Sequence, residues 1–169
     1  MQNELPKRKR TRLKNFDYST NGAYFITICT EDKRKILSKI VGGDVLGDPN
    51  NIELLSHGLV ANKYINQFNE FYDNITVDQY VIMPNHIHIL LLVAENGSPR
   101  KSSPTRQTTA VAHFVSTFKR FCNKEYGENI WQPSFHDHVI RDHEDYEEHV
   151  KYIYENPMRW VDDELYTEE

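Results

Sequence analysis

The sequence predicts an α+β fold: a ferredoxin-like βαββαβ antiparallel sheet with helices on one face, followed by a further C-terminal helix. Two observations carry this prediction. Segments with the alternation of strands and segments with the spacing of helices follow one another as strand, helix, strand, strand, helix, strand, helix. No apolar run reaches the roughly 18 residues that would span a bilayer, so no membrane association is expected.

The first half of the predicted domain contains three strands and one helix. Residues 22–30, GAYFITICT, are rich in β-branched and aromatic side chains and predict a strand, and residues 75–84 and 86–94 predict two neighbouring strands. Residues 41–51 are mostly turn formers and predict a loop or a short hairpin. Residues 54–71 predict an amphipathic helix, with apolar side chains at Leu55, Leu59, Val60, Tyr64, Phe68 and Phe71.

The second half begins with a polar segment and ends with a helix. Residues 97–109, GSPRKSSPTRQTT, predict a mobile loop. A helix follows, and residues 131–141 predict the fourth strand of the sheet. The last helix spans about 145–156, because Pro157 cannot continue a regular helix. One face of the helix after the loop is apolar, with Val111, Val115, Phe118 and Cys122.

Composition indicates one soluble, globular domain in a reducing compartment. The chain has 169 residues, of which 38% are hydrophobic and 27% charged, which is typical of a single folded domain. Its two cysteines lack metal-type spacing, and no apolar segment near the N-terminus suggests a signal peptide. These features favour the cytoplasm.

Charge is distributed unevenly along the chain, although the net charge is −5. We expect a basic arm over residues 1–20, a single domain over 21–160 and an acidic tail over 161–169. The arm either contacts phosphates or is simply a solvated tail, because binding responds to local potential rather than net charge. Its basic residues are Lys7, Arg8, Lys9, Arg10, Arg12 and Lys14.

Two histidines lie in the apolar stretch MPNHIHILLLV of residues 83–93. His86 and His88 are two positions apart, so in a strand they project to the same face, where two imidazoles can chelate a divalent metal. The alternative is a pair of buried histidines that hydrogen-bond to the core. The spacing alone does not decide between these two.

The last predicted helix carries a tyrosine and an asparagine on one face. Tyr152 and Asn156 are four residues apart, whereas Tyr154 points away. The pair can bring a phenol and a neutral oxygen ligand to one site. The alternatives are a core aromatic residue and a C-terminal cap.

These segments together resemble the single-tyrosine HUH transposases, and among them the REP-associated tyrosine transposases. The resemblance covers about residues 12–160 and rests on RLKNFDYSTNGAYFITICT, YVIMPNHIHILLLV, IWQPSFHDHVIR and YIYENPMRW, in this order. It implies that His86 and His88 bind a metal, Mg²⁺ or Mn²⁺, and that Tyr152 is the nucleophile. It also implies that Asn156, where relatives often have Gln, is a third ligand.

The resemblance further implies a substrate and a reaction. The substrate is single-stranded DNA next to a short hairpin, and cleavage forms a 5′-phosphotyrosine link that a 3′-hydroxyl can later attack. Relatives are either monomers or homodimers. Two rivals remain: a hairpin-DNA-binding protein without catalysis, and a metal hydrolase that uses water as its nucleophile.

A second H-x-H pair occurs in the predicted fourth strand. His136 and His138 either form a second metal site, contact DNA near the active site, or are a structural pair, and Arg141 either binds a phosphate or pairs with a nearby acid. We expect further DNA contacts from the second helix and the segment after it, at Lys119, Arg120 and Trp131, although most aromatic residues there suit the core equally well.

Overall fold

The computed structural model describes residues 22–41, 52–94 and 110–168. It confirms the predicted mixed α+β class, with an antiparallel sheet and three α-helices in the described residues. Two 3₁₀ segments, Glu31–Lys33 and Asn156–Asp162, complete the regular structure. The elements in chain order are β1 (Gly22–Cys29), β2 (Ser38–Ile40), β3 (Ile52–Leu54), α1 (Ser56–Phe71), β4 (Ile75–Ile82), β5 (His86–Val93), α2 (Ala110–Tyr126), β6 (His136–Val139) and α3 (His143–Glu155).

Four strands form the main sheet in the order β4–β5–β1–β6, and each neighbouring pair is antiparallel. Strands β1 and β5 pair along their whole length, from Gly22 opposite Val93 to Cys29 opposite His86. β2 and β3 form a separate two-stranded hairpin. The start of β5 is therefore an interior position, with a strand on each side.

The two faces of the sheet carry different helices. Ile26, Ile28, Ile87 and Ile89 contribute to a core cluster with buried residues of α1 and α2. On the other face, Leu90 packs in a second cluster. That cluster also contains Val81, Met83, Ile153 and Trp160, so it joins the sheet to α3 and the 3₁₀ segment that follows. Because successive strand residues point to opposite faces, His86 and His88 lie on the α3 side.

Several predicted bounds differ from the structure. β6 has four residues instead of the predicted 131–141. Trp131 makes only an isolated bridge with Thr30, and Pro133 lacks the amide hydrogen that a strand interior uses. In α1, the prediction for Leu59 was wrong, because this side chain is 57% exposed. Phe68 is buried and Val60 and Tyr64 pack against the core as predicted, and Ala61 and Ile65 belong to the same buried stripe.

The last helix begins two residues earlier than predicted and ends at Glu155, within one residue of the predicted end. α3 begins at His143 because Asp142 caps it, and the Asp142 side chain accepts a hydrogen bond from the amide of Asp145. A 3₁₀ segment follows directly, and Pro157 lies in its first turn. A proline is tolerated there because the amide hydrogen that it lacks would have no partner within the helix. The basic arm, most of the predicted loop 41–51 and the predicted loop 97–109 lie outside the described residues.

Candidate active site

Two buried imidazoles lie at the start of β5, and they face each other. The Nε2 atoms of His86 and His88 are 3.0 Å apart. The other nitrogen of each ring has an oxygen partner: His86 Nδ1 lies 2.8 Å from Asn85 Oδ1, and His88 Nδ1 lies 2.8 Å from Thr27 Oγ1. These partners fix the orientation of the rings, so each points one nitrogen into the same small volume.

Burial keeps both imidazoles neutral. It lowers the pKa of His86 to about 4, although the charge of Asp163 acts in the opposite direction, and Lys33 adds a smaller lowering effect. Burial also lowers the pKa of His88 well below its usual value, with further lowering by positive charge on His86 and His149. Neutral imidazole is the form that binds metals.

Helix α3 brings the predicted tyrosine and asparagine to the same place. The ring centroids of Tyr152 and His88 are 5.2 Å apart. The Tyr152 hydroxyl donates to Oδ2 of Asp163 at 3.3 Å, and Asn156 Nδ2 donates to the same oxygen at 2.8 Å. Tyr152 is 44% exposed, whereas Asn156 is buried. The structure therefore places a half-exposed phenol beside His88, and Asp163 joins this phenol to the buried amide of Asn156.

The surroundings of Tyr152 favour its protonated form. Burial, the negative charge of Asp163 and the hydrogen bond to Asp163 together raise the pKa of Tyr152 to about 12, against a smaller lowering effect of Asn156. A phenol in this environment is a poor nucleophile until positive charge or a base comes close.

Asp163 is the residue of this site that sequence reasoning missed. It lies in DDELYTEE, which suggests only an acidic tail, and no motif or spacing distinguishes it from its neighbours. Its side chain is 2% exposed, and Oδ2 lies 3.9 Å from Nε2 of His86. The amide of Leu165 donates to its other oxygen at 2.7 Å. The turn after the 3₁₀ segment thus carries a carboxylate into the site.

The donor set of this site fits a divalent cation. His86, His88 and Asp163 each offer a ligand atom, and these atoms lie within 4.8 Å of one another. Oδ1 of Asn156 is buried and has no hydrogen-bond partner among the described residues, although such an atom normally has one. Oxygen partners on the remote ring nitrogens are usual for histidines that bind metals.

A cavity of about 590 Å³ opens beside the site. His88, Tyr152 and Asp163 line one part of it, and His136 and His149 line another. The cavity therefore reaches His88, one of the two buried imidazoles, and the half-exposed Tyr152. Its position allows an extended ligand to reach Tyr152.

The second H-x-H pair is divided between two environments. His136 is exposed and lines the cavity, whereas Nε2 of His138 lies 2.9 Å from Oδ2 of Asp145. His149 Nδ1 lies 2.8 Å from the main-chain oxygen of Asp145, and the rings of His138 and His149 stack with centroids 4.7 Å apart. His138, Asp145 and His149 also form a group with metal-type spacing. Arg141 is exposed, and its amide donates to Asp145.

The remaining predicted DNA contacts differ in their access to solvent. Arg120 is exposed, whereas the ammonium of Lys119 donates to the main-chain oxygens of Gln132 and Ser134. Burial lowers the pKa of Lys119 to about 8. The ring of Trp131 is 1% exposed and lies in the core. This placement argues against the predicted DNA contact of Trp131, because no face of the ring is open to a base.

Both the sequence and the structure resemble proteins of known type. The sequence matches the family described as "Transposase IS200 like" over residues 18–156. It is 28% identical over 146 residues to a REP-associated tyrosine transposase of Escherichia coli K12, covering 85% of this chain and 72% of that protein. A Haemophilus influenzae protein without an assigned function is 28% identical over 178 residues, covering 95% of this chain and 94% of that protein.

The fold is similar to that of a solved REP-associated tyrosine transposase bound to a REP hairpin. The TM-score is 0.59 at 19% sequence identity, and the match covers 88% of this chain and 73% of the other. In the part of the chain that the structure describes, no helix is long and apolar enough to span a membrane.

Proposed function

Because the chain belongs to the IS200-like transposase family, we propose that it is a metal-dependent enzyme that cleaves and rejoins single-stranded DNA at hairpin sequences. The proposed intermediate is a 5′-phosphotyrosine link on Tyr152. The observation that carries the proposal is the position of Tyr152 of α3 beside two neutral imidazoles that face each other. The resemblance to REP-associated tyrosine transposases agrees with it.

The proposed framework is a ferredoxin-like core in which α3 is the tyrosine helix. From β1 to β6 the main elements follow as strand, helix, strand, strand, helix, strand, with the β2–β3 hairpin inserted before α1. α1 and α2 share one face of the sheet and α3 lies on the other. Such a framework holds the histidines on rigid strands and presents the nucleophile from an independent element.

In the proposed reaction, the phenolic oxygen of Tyr152 attacks a phosphodiester of single-stranded DNA. The bond from phosphorus to the 3′-oxygen breaks, the phenolic proton is lost, and the 3′-oxygen leaves as a hydroxyl. His86, His88 and Asn156 would hold a divalent cation, Mg²⁺ or Mn²⁺. Such a cation supplies positive charge that favours the phenolate and offsets charge on the phosphoryl oxygens.

The cavity beside Tyr152 suits the DNA strand. His136 is exposed on its wall and would contact a phosphate or a base near the cleaved bond. The exposed Arg120 and Arg141, and the basic arm of residues 1–20, would contribute phosphate contacts further away. Such contacts set affinity and its salt dependence. We also propose a cytoplasmic location, on the basis of the composition.

Covalent trapping tests the proposed function. The protein is incubated with Mg²⁺ or Mn²⁺ and with labelled hairpin oligonucleotides that carry single-stranded flanks, drawn from palindromic repeats next to its gene. We expect a covalent protein–DNA adduct that resists denaturing electrophoresis, requires the metal, and is lost in Tyr152→Phe. Tyr154→Phe is the matched control, because this exposed tyrosine on the same helix points away from the site.

The rivals predict other outcomes of the same experiment. Tight hairpin binding without any adduct or cleavage would indicate a DNA-binding protein without catalysis. Metal-dependent cleavage that persists in Tyr152→Phe, with no protein attached to DNA, would indicate a hydrolase that uses water.

A further inference from the structure

Asp163 places a buried carboxyl group beside the imidazole of His86. Its side chain is 2% exposed, and His86, at 3.9 Å, is the partner at ion-pair distance. Burying a charge without an opposite charge is costly, even when hydrogen bonds remain. A cation bound between this carboxyl group and His86 would supply that opposite charge.

The three hydrogen bonds to the side-chain oxygens of Asp163 come from neutral donors. Leu165 donates its amide to Oδ1, while Tyr152 and Asn156 donate to Oδ2 at 3.3 and 2.8 Å. Oδ2, the oxygen nearer to His86, is thus shared by the nucleophile and a proposed metal ligand. The longer of these two contacts is the one to the phenol, so it is the easier one to break.

The distances suit ligands around one ion. Ligands at right angles around an ion about 2.1 Å away stand about 3.0 Å apart, and ligands on opposite sides about 4.2 Å apart. The two Nε2 atoms are 3.0 Å apart, and Oδ2 of Asp163 is 3.9 Å from that of His86. All three ligand atoms lie within 4.8 Å of one another. A small inward movement of the carboxylate closes the group around a cation.

We propose that Asp163 is a further protein ligand of the catalytic cation and that its engagement releases Tyr152. Without metal, Oδ2 of Asp163 accepts the phenolic hydrogen. When Oδ2 turns to the cation, the Tyr152 hydroxyl loses its acceptor and becomes free to approach a phosphate. Metal loading and release of the nucleophile are then one event. This inference rests on the proposed function, because it needs the same metal site.

Manganese affinity tests the ligand role without any measurement of activity. Mn²⁺ is titrated into the full chain by calorimetry, with wild type compared with Asp163→Asn. We expect Asp163→Asn to weaken Mn²⁺ binding by about 10-fold or more, in the range typical of changes to groups that hold a metal site. Asp162→Asn is the matched control, because Asp162 is the exposed acid next in sequence. It should bind Mn²⁺ as wild type does.

The release step has its own signature in Tyr152→Phe. If the phenol competes with the cation for Oδ2, its removal should tighten Mn²⁺ binding by about 5-fold, the equivalent of one hydrogen bond. If Tyr152 is itself a metal ligand, the same variant should bind Mn²⁺ more weakly, and this would overturn the release step. Unchanged affinity would overturn it as well.

Failure of the proposed function and failure of the role proposed for Asp163 give different results. Wild-type protein that binds no Mn²⁺ would refute the metal-dependent function proposed above, and with it this inference. Wild-type protein that binds Mn²⁺ and forms the covalent adduct, while Asp163→Asn binds Mn²⁺ equally well, would refute only the role of Asp163. Thermal melting of the metal-free variants checks that each is folded before titration.

Discussion

The two H-x-H pairs of this chain have the same spacing and the same type of element, yet their surroundings differ completely. His86 and His88 lie on β5, which has a strand on each side, and both are buried. His136 and His138 lie on β6, at the edge of the sheet. The first pair meets at 3.0 Å through its Nε2 atoms. The second pair is divided between the cavity wall and Asp145.

The difference shows that the side chains around two histidines, and not their spacing alone, decide whether the imidazoles face each other. The remote nitrogens of His86 and His88 are held by Asn85 and Thr27, which leaves Nε2 of each ring directed at its neighbour. His138 instead directs Nε2 at a carboxylate that is already occupied by the amide of Arg141. Its nitrogen is therefore engaged, although the group has metal-type spacing.

The largest expected effect is on the rate of adduct formation, when one histidine is removed from the buried pair and, for comparison, one from the edge pair. His88→Ala should lower the rate of adduct formation by on the order of 10³-fold, because metal assistance is worth several kcal/mol. His136→Ala should lower it by less than about 10-fold, because it loses at most one contact to DNA. Single-turnover assays with hairpin DNA and saturating Mn²⁺ measure both rates.

Equal losses in the two variants would break the comparison, since they would make His136 as essential as the buried pair. Hairpin binding without metal provides the control. It should be retained in His88→Ala, which shows that the variant still folds and still recognises DNA.

A smaller effect concerns stability in acid. The folded-state pKa of His86 is about 4, below the ordinary value of about 6.5 that applies in the unfolded chain. As pH falls through this window, the unfolded chain takes up a proton that the folded protein excludes. The free energy of unfolding of metal-free protein should therefore decrease by about 3 kcal/mol between pH 6.5 and 4 on account of His86 alone.

Urea unfolding in the presence of a chelator measures this dependence. His86→Gln should lose less stability than wild type over the same pH window, because the variant has no imidazole at position 86 that takes up a proton on unfolding. His136→Gln, on the exposed strand edge, should keep the wild-type dependence. A His86→Gln variant with the full wild-type loss would show that other groups cause the acid sensitivity.

The fold class was predictable because periodicity reports burial. The apolar and β-branched composition of residues 75–84 and 86–94 identified β4 and β5 to within two residues, and the apolar spacing after residue 110 identified α2. β6 was less predictable, because an edge strand of four residues is fixed by its pairing with β1 and not by its own pattern. Leu59 was misassigned because apolar spacing does not tell which member of a stripe faces solvent.

The site was predictable only where one element carries the pattern. His86 with His88, and Tyr152 with Asn156, each share a local periodicity. Asp163 enters through a turn after a 3₁₀ segment, so its approach to His86 depends on tertiary structure and left no local signal. His149 was missed for a related reason, because its role as a wall of the cavity depends on where α3 packs.

The smallest expected effect is that of His138→Gln on stability. Its partner interaction with Asp145 is partly exposed, with the His138 side chain 40% exposed, and such pairs contribute at most about 1 kcal/mol. Asp145 also keeps its hydrogen bond from the amide of Arg141 in this variant. The free energy of unfolding at pH 7 should therefore fall by no more than about 1 kcal/mol in urea titrations. A loss of several kcal/mol would mean that the pair on β6 contributes far more to the free energy of unfolding than a partly exposed pair should. The contrast between the two strands would then no longer hold.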